Sequence, residues 1–512
     1  MPVLKGITST RTLATLDWVA MLIYGAILVW MGLYFMRRER GTEDFFLAGR
    51  RIPWWAAGVS IFATQLSAIT FMAIPAKSYD TDWILFVQNL GILAMAPVVA
   101  FCFLPFFRRL SLTTAYEYLE QRFHASLRLA GSAIYMLFQV GRVAVVTLLP
   151  ALALAAVTGF DVNACILAMG VICILYTVLG GIEAVVWSDV LQTIVLLGGA
   201  IWALVAMVNG VDGGAGTILS DASAQAKLRL ADFSFDLTEP TILVVVLGAI
   251  FINIIPYTSD QSVVQRYLTT PDEASARKAL WTGGILSLPA SIIFFGLGTA
   301  LWAYYRANPA DLEPTAKLDQ ILPFFLVDQL PAGVAGLVIA GVFAAAMSSL
   351  DSSMNSVSTA FTTDWYARFR PNSDDKRRLF VARIATVVIG VLGTSAALLM
   401  AAINDPSLLD VWFKIIGLFG SGLAGLFILG AISTRASAPA GWAGLAASAL
   451  CVFFVSNFTQ LNFLLYSAIG VISCVVFGVL VGVVLPARQG LAGLTLATLD
   501  DAGDENTTPR RD

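Results

Sequence analysis

The sequence predicts an all-α integral membrane protein of about thirteen transmembrane helices. Three observations carry that fold class. Mostly apolar segments of about 18 residues or more recur along nearly the whole 512-residue chain, and each can span a bilayer as a helix. Hydrophobic residues make up 58% of the chain and charged residues only 13%, a balance foreign to soluble domains of this size. Lys and Arg concentrate on alternate connections, as the positive-inside rule requires of a chain that crosses repeatedly.

The elements follow in order. Span 16–36 has no cleavable signal pattern and is long enough to stay in the membrane. The connection after it carries Arg37, Arg38, Arg40, Arg50 and Arg51. Spans 54–76 and 83–107 lead to a second basic connection with Arg108, Arg109, Arg122 and Arg128. Spans 127–157, 162–179 and 184–209 come next, then a loop at 210–240. Spans 242–267 and 279–305 flank Arg266, Arg277 and Lys278; spans 332–358 and 381–403 flank Arg368, Arg370, Lys376, Arg377 and Arg378. Spans 409–432, 441–456 and 461–484 complete the set, with Arg435 between the first two. The opposite connections hold only Lys77, Lys227, Arg229, Arg306 and Lys317, besides Lys5 and Arg11 at the start. The bias puts the N-terminus outside and the C-terminus in the cytoplasm of a multi-pass plasma (inner) membrane protein. One transmembrane domain, 1–485, is expected, followed by a polar cytoplasmic tail, 486–512, expected to lack structure.

Composition excludes several functions. A net charge of −3 gives no reason to expect a nucleic-acid partner. The five cysteines sit in apolar stretches without metal or redox spacing, so they read as small core residues. The lone His124 reads as solvated on a loop. The chain has neither a GxSxG nor a phosphate-loop motif, so an enzyme is not expected.

The chemistry lies in polar residues at membrane depth. The run from Ser348 to Ser356 places five serines and Asp351 in an apolar segment. Unpaired polar groups there cost several kcal/mol each, roughly, so they need partners. Oxygen-only donors suit a hard cation such as sodium. In the second span, Thr64, Gln65, Ser67 and Thr70 interrupt the apolar pattern. They read either as a broken helix whose freed carbonyls face a cavity, or as close-packing residues between helices. The seventh span has a matching interruption at Asn253, Pro256, Tyr257, Thr258, Ser259, Asp260 and Gln261. Asp189 is either an interfacial residue or a cation ligand paired with Asp351. Arg142, near mid-span, either pairs with an internal carboxylate or receives a substrate carboxylate. Phe71, Phe86 and Phe251 are candidate pocket walls.

These residues resemble the sodium:solute symporter family, and within it the bacterial sodium/sialic acid symporters. The resemblance covers residues 15–485 and rests on several stretches. They are Trp55 to Ser60, Ile69 to Lys77, Gly141 to Ala144, Gly180 to Glu183 and Val263 to Tyr267. It implies a LeuT-type fold of two inverted five-helix repeats, 53–210 and 238–434, with broken second and seventh helices. It implies a sodium site made by carbonyls of Ala63, Leu66 and Ala345 with hydroxyls of Ser348 and Ser349. A second site, present in part of the family, would use Asp189, Ser348, Asp351 and Ser352; relatives commonly carry Ser or Thr at the position of Asp351. The added carboxylate either strengthens cation binding or binds a proton instead, so one sodium ion or two are implied. The resemblance places Arg142, Ser67 and Thr70 in the substrate pocket, with Gln65, Gln88, Asn89, Phe71, Phe251 and Asn253 as further pocket candidates. Gln65 and Asn89 depart from the sialic acid pattern. The expected function is inward, sodium-coupled symport of sialic acid or a related carboxylated sugar by a monomer in the bilayer. A neutral monosaccharide or other small organic solute is the alternative, and a transporter-like membrane sensor a more distant one.

Overall fold

The computed structural model describes residues 13–37, 41–110, 112–312, 318–403, 413–486 and 490–498. Several basic residues counted above (Lys5, Arg11, Arg38, Arg40, Lys317) and the start of span 409–432 lie outside them. Among the described residues the regular elements are all helical. Ten helices are long and apolar enough to cross a membrane, and two further pairs qualify as bent spans.

The first helix, α1 (Thr15–Met36), presents Tyr24, Leu28, Gly32 and Phe35 to the protein and Leu22 and Trp30 outward. The second span is broken into α2 (Trp54–Gln65) and α3 (Ala68–Asp80), bent by 55°. Leu66 (ψ 95°) and Ser67 (ψ 173°) are extended at the break. Next come α4 (Phe86–Phe103) and α5 (Ala125–Thr158). His124 accepts the Ser126 amide through Nδ1 at 3.1 Å. The histidine expected only to be solvated therefore caps α5, leaving its ring at the surface.

Helix α6 (Val162–Asn209) is 48 residues long, roughly 72 Å of helix against a hydrocarbon core of about 30 Å. It cannot cross once. Gly181 (φ 51°, ψ −159°) breaks it, a conformation reserved for glycine. The contacts show reversal: Tyr176 and Ser188, on opposite arms, both reach Asp351, at 2.9 and 3.5 Å. Counting both arms and both bent pairs recovers the thirteen spans read from the sequence.

The seventh span breaks into α7 (Ile242–Thr258) and α8 (Gln261–Leu268), bent by 56°. Pro256 removes a backbone donor in the last turn of α7, and Asp260 caps α8 through the Ser262 amide at 2.8 Å. Then follow α9 (Glu273–Ala307), α10 (Val334–Ala360), α11 (Asp375–Ile403), α12 (Phe413–Ile432), α13 (Ala438–Phe458) and α14 (Leu465–Val484). Helix α10 is the central one, buried along nearly its whole length against α5, α6 and α8. Asp17 of α1, itself buried, holds the α10 start by accepting the Gly333 and Gly336 amides, both at 2.7 Å.

The expectation of a structureless tail from 486 onward does not extend to 490–498. Tyr118 donates its hydroxyl to the Leu494 carbonyl at 3.0 Å, and Thr495 is fully buried.

Candidate functional site

Both breaks sit beside α10 and α5 at the centre of the molecule. Ending α2 at Gln65 leaves its last carbonyls without amide partners further along the helix. Side chains take two of them. Ser348 reaches the Ala63 carbonyl at 3.3 Å, and Arg142 donates to the Thr64 carbonyl at 2.5 Å. Ser348 also bonds the Ala345 carbonyl at 3.1 Å, while the neighbouring Ser349 hydroxyl is buried without a hydrogen-bond partner. Ala63, Ala345 and Ser348 thus converge, with Leu66 at the break itself and Ser349 next along α10. A buried hydroxyl left unsatisfied costs about 1–3 kcal/mol, and an oxygen-seeking cation among these groups would satisfy it.

The serine run divides by face. Ser353 bonds Gln139 of α5 at 2.9 Å, and Ser356 accepts from Tyr135 at 2.7 Å. Asn355 accepts from Gln265 of α8 at 2.9 Å. These residues hold helices together; Ser348 and Ser352 face the break.

The residues expected to form a second cation site lie together, with Arg266 among them. Its guanidinium is fully buried and bonds Ser60 at 2.7 Å, Asp189 at 3.0 Å and also the Ser352 hydroxyl. Ser60 donates to Asp189 at 2.5 Å. Asp351 is held by Tyr176 at 2.9 Å and Ser352 at 3.3 Å. The Ser348 hydroxyl points to the first site instead. Counted from sequence as a loop cation, Arg266 is an interior group, and so is Arg122, which bonds the Gly430 and Ala436 carbonyls at 2.9 and 3.0 Å. Both stand just beyond apolar stretches, where positive-inside counting assigns any arginine to the loop.

Arg142 does find an internal carboxylate. Its Nη1 lies 3.2 Å from Asp260, both side chains only 5% exposed. Through the Thr64 carbonyl and Asp260, this one residue ties the end of α2 to the start of α8. Asp260 also accepts from Tyr135 at 3.0 Å and Gln139 at 3.2 Å. The sequence reading saw Asp260 in the seventh-span break but missed it as a site residue; its signal was a carboxylate at a proline-marked break, needing a cation. Asp189, Asp260 and Asp351 face Arg142 and Arg266. Asp260 pairs with Arg142 and Asp189 with Arg266, while Asp351 is held by hydroxyls, a third carboxylate that a cation or a proton would neutralise.

A cavity of about 190 Å³ opens beside the breaks. Gln65, Ser67, Thr70, Gln88, Asn89, Arg142 and Asn253 line it, as expected. The Gln65 amide nitrogen is buried without a hydrogen-bond partner, whereas Asn253 spends its own on the Gln88 and Ala249 carbonyls at 3.0 and 2.8 Å. Phe71 is not in the wall: it packs on Phe294 behind α3, with ring centroids 5.5 Å apart. Phe251 likewise packs into the helix core, and Phe86 stacks behind the wall on Trp83 and Phe295. Side chains of α7 at 251 and 253 point to different faces, which sequence alone does not resolve. Phe138, Asp260, Phe413 and Lys77 line the cavity unanticipated.

The cavity extends toward the face bearing Lys77. The arginine-rich face is tied shut: Arg128 pairs with Asp364 at 2.7 Å and Glu120 at 2.8 Å, and Arg368 with Glu120 at 2.6 Å. Burial would raise the Glu120 carboxyl, but hydrogen bonds from Arg128 and Arg368 outweigh it and hold the group below the usual carboxylate range.

Comparison with known proteins agrees with this arrangement. A model of the sodium:solute symporter family matches residues 45–447. The sodium/sialic acid symporter NanT of Aliivibrio fischeri is 41% identical over 471 residues, covering 92% of this chain and 93% of the relative. SiaT of Proteus mirabilis, also a sodium/sialic acid symporter, is 39% identical over 469 residues, covering 91% and 95%. A solved structure, described as the substrate-bound outward-open state of a Na+-coupled sialic acid symporter with a novel Na+ site, superposes with a TM-score of 0.88. It is 38% identical and covers 93% of this chain and 100% of that one.

Proposed function

The chain belongs to the sodium:solute symporter family, and from that premise we propose that it imports sialic acid or a related carboxylated sugar together with sodium. Symport, rather than catalysis, is the activity of that family. The observation that carries the ion part is the buried Ser349 hydroxyl without a hydrogen-bond partner, next to Ser348, which reaches the Ala63 and Ala345 carbonyls. One sodium ion binds the Ala63, Leu66 and Ala345 carbonyls and the Ser348 and Ser349 hydroxyls, neutralising the cluster. Arg266 occupies the second cation position, so the stoichiometry is one.

The repeats are 53–210 and 238–434, related by inversion, each opening with a broken helix. The protein acts as a monomer, with its arginine-rich face and C-terminus in the cytoplasm. Sodium joins the end of α2 to α10 and stabilises the open cavity. Solute then bridges α3 and α7, and the Arg128–Asp364–Glu120–Arg368 ties release as the cavity reopens inward.

The test is uptake of N-acetylneuraminate into proteoliposomes under sodium or potassium gradients. Sodium-dependent uptake that falls at least tenfold in Ser348→Ala and Ser349→Ala is expected; uptake indifferent to sodium overturns the reading. A neutral monosaccharide is the second reading, favoured by one observation: Arg142 is already engaged by Asp260 and the Thr64 carbonyl. Competition by neutral sugars and not acidic ones would select it.

A further inference from the structure

We infer that Lys77 is an outer docking station for the carboxylate of the incoming solute, separate from Arg142; this rests on the acidic-solute reading above. Thr70, Ile74 and Lys77 of α3 follow one another at four- and three-residue steps and all line the cavity, so they form one helix face, with Ser67 lining it just before the helix begins. From Thr70 to Lys77 the helix rises about 10 Å, so Lys77 stands two turns nearer the mouth.

Its ammonium has no structural duty. A lysine in the last turn of a helix ordinarily serves the terminal carbonyls. Here Lys227 does so, donating to the Tyr79 and Asp80 carbonyls at 2.6 and 2.9 Å. Among the described residues no carboxylate comes within 4.0 Å of the Lys77 ammonium. Its direction is nevertheless fixed. The adjacent Ser78 is fully buried and bonds the Phe295 carbonyl of α9 at 2.9 Å. Gly298 of α9 lies so close that an added Cβ would sit 2.3 Å from the Pro75 carbonyl. With α3 locked on that side, Lys77 projects along the cavity wall.

Charge completes the case. Among the described residues the lining holds Arg142, Lys77 and Asp260 as its only charged groups. Arg142 and Asp260 offset each other at 3.2 Å. Lys77 therefore supplies the cavity's net positive charge, and a half-buried cation at a mouth attracts anions without trapping them. The carboxylate docks on Lys77, the sugar then settles against Gln65 and Asn253, and closure carries it past the arginine pair. A station of this kind lowers KM and leaves the turnover of bound solute alone.

The experiment is uptake of N-acetylneuraminate by proteoliposomes at fixed sodium, with added choline chloride, for wild type, Lys77→Gln and Lys77→Arg. Wild-type KM should rise with ionic strength. Lys77→Gln should raise KM about threefold to tenfold at low salt, keep maximal rate and flatten the salt dependence, with Lys77→Arg restoring both. Unchanged KM in Lys77→Gln, or a fall confined to maximal rate, overturns the inference alone. A wild-type KM indifferent to ionic strength overturns it too, whatever the variants' folding. A wild type that carries only neutral sugars overturns this inference and the acidic-solute reading together.

Discussion

Of the three site carboxylates, Asp351 is the one held by hydroxyls, since Asp260 pairs with Arg142 and Asp189 with Arg266. Replacing it with Ser removes that carboxylate one turn from Ser348. The sodium concentration for half-maximal uptake should then rise about tenfold or more, measured by uptake across a sodium titration. An unchanged sodium dependence would show that the carboxylate is neutralised some other way. At this scale the sequence marked Asp351 and Arg142 as groups that need partners in hydrocarbon, because burial cost is legible from residue type and position, and left Asp189 between an interfacial residue and a cation ligand. It did not pair them. Arg142 and Asp260 are 118 positions apart, and Arg266 and Asp189 are 77 apart. No local pattern links residues across such separations.

Helix breaks were legible because proline and clustered polar residues cannot continue an apolar helix at no cost. The α6 hairpin was legible too, since an apolar run longer than the bilayer must turn, and Gly180 and Gly181 mark where. Gly181 alone has the φ 51°, ψ −159° that lets the chain reverse without leaving helix on either side. Gly181→Ala should destabilise the fold by about 1–3 kcal/mol, read as a lowered melting temperature and poorer yield in detergent. Alanine tolerated at wild-type stability would mean that the turn has slack the geometry does not suggest. Helix faces were less legible. On α7, Asn253 faces the cavity and Phe251 the core, and on α3 Thr70 and Phe71 diverge in the same way. When nearly every neighbour is apolar, hydrophobic periodicity no longer marks which side is inward.

Across the whole molecule, a sodium ion held only by the native state would stabilise the fold. A ligand that binds only the native state stabilises it by about 1.4 kcal/mol at ten times its dissociation constant. Thermal unfolding in sodium chloride should therefore occur at higher temperature than in potassium or choline chloride, and the difference should shrink in Ser349→Ala. Equal melting in all three salts would remove sodium from the native site. The sequence by itself determined the class of the molecule: its helices, their number and the two broken spans. These follow from local rules, namely the length of helix that spans a bilayer, the hydrogen bonds proline forfeits and the cost of polar atoms in hydrocarbon. Only the tertiary structure decided that Arg266 lies among the residues of the expected second cation site, that Arg142 is already paired and that Lys77 lines the cavity. Those are balances among groups brought together from distant segments, and electrostatic energy depends on distances in space that the order of residues does not contain.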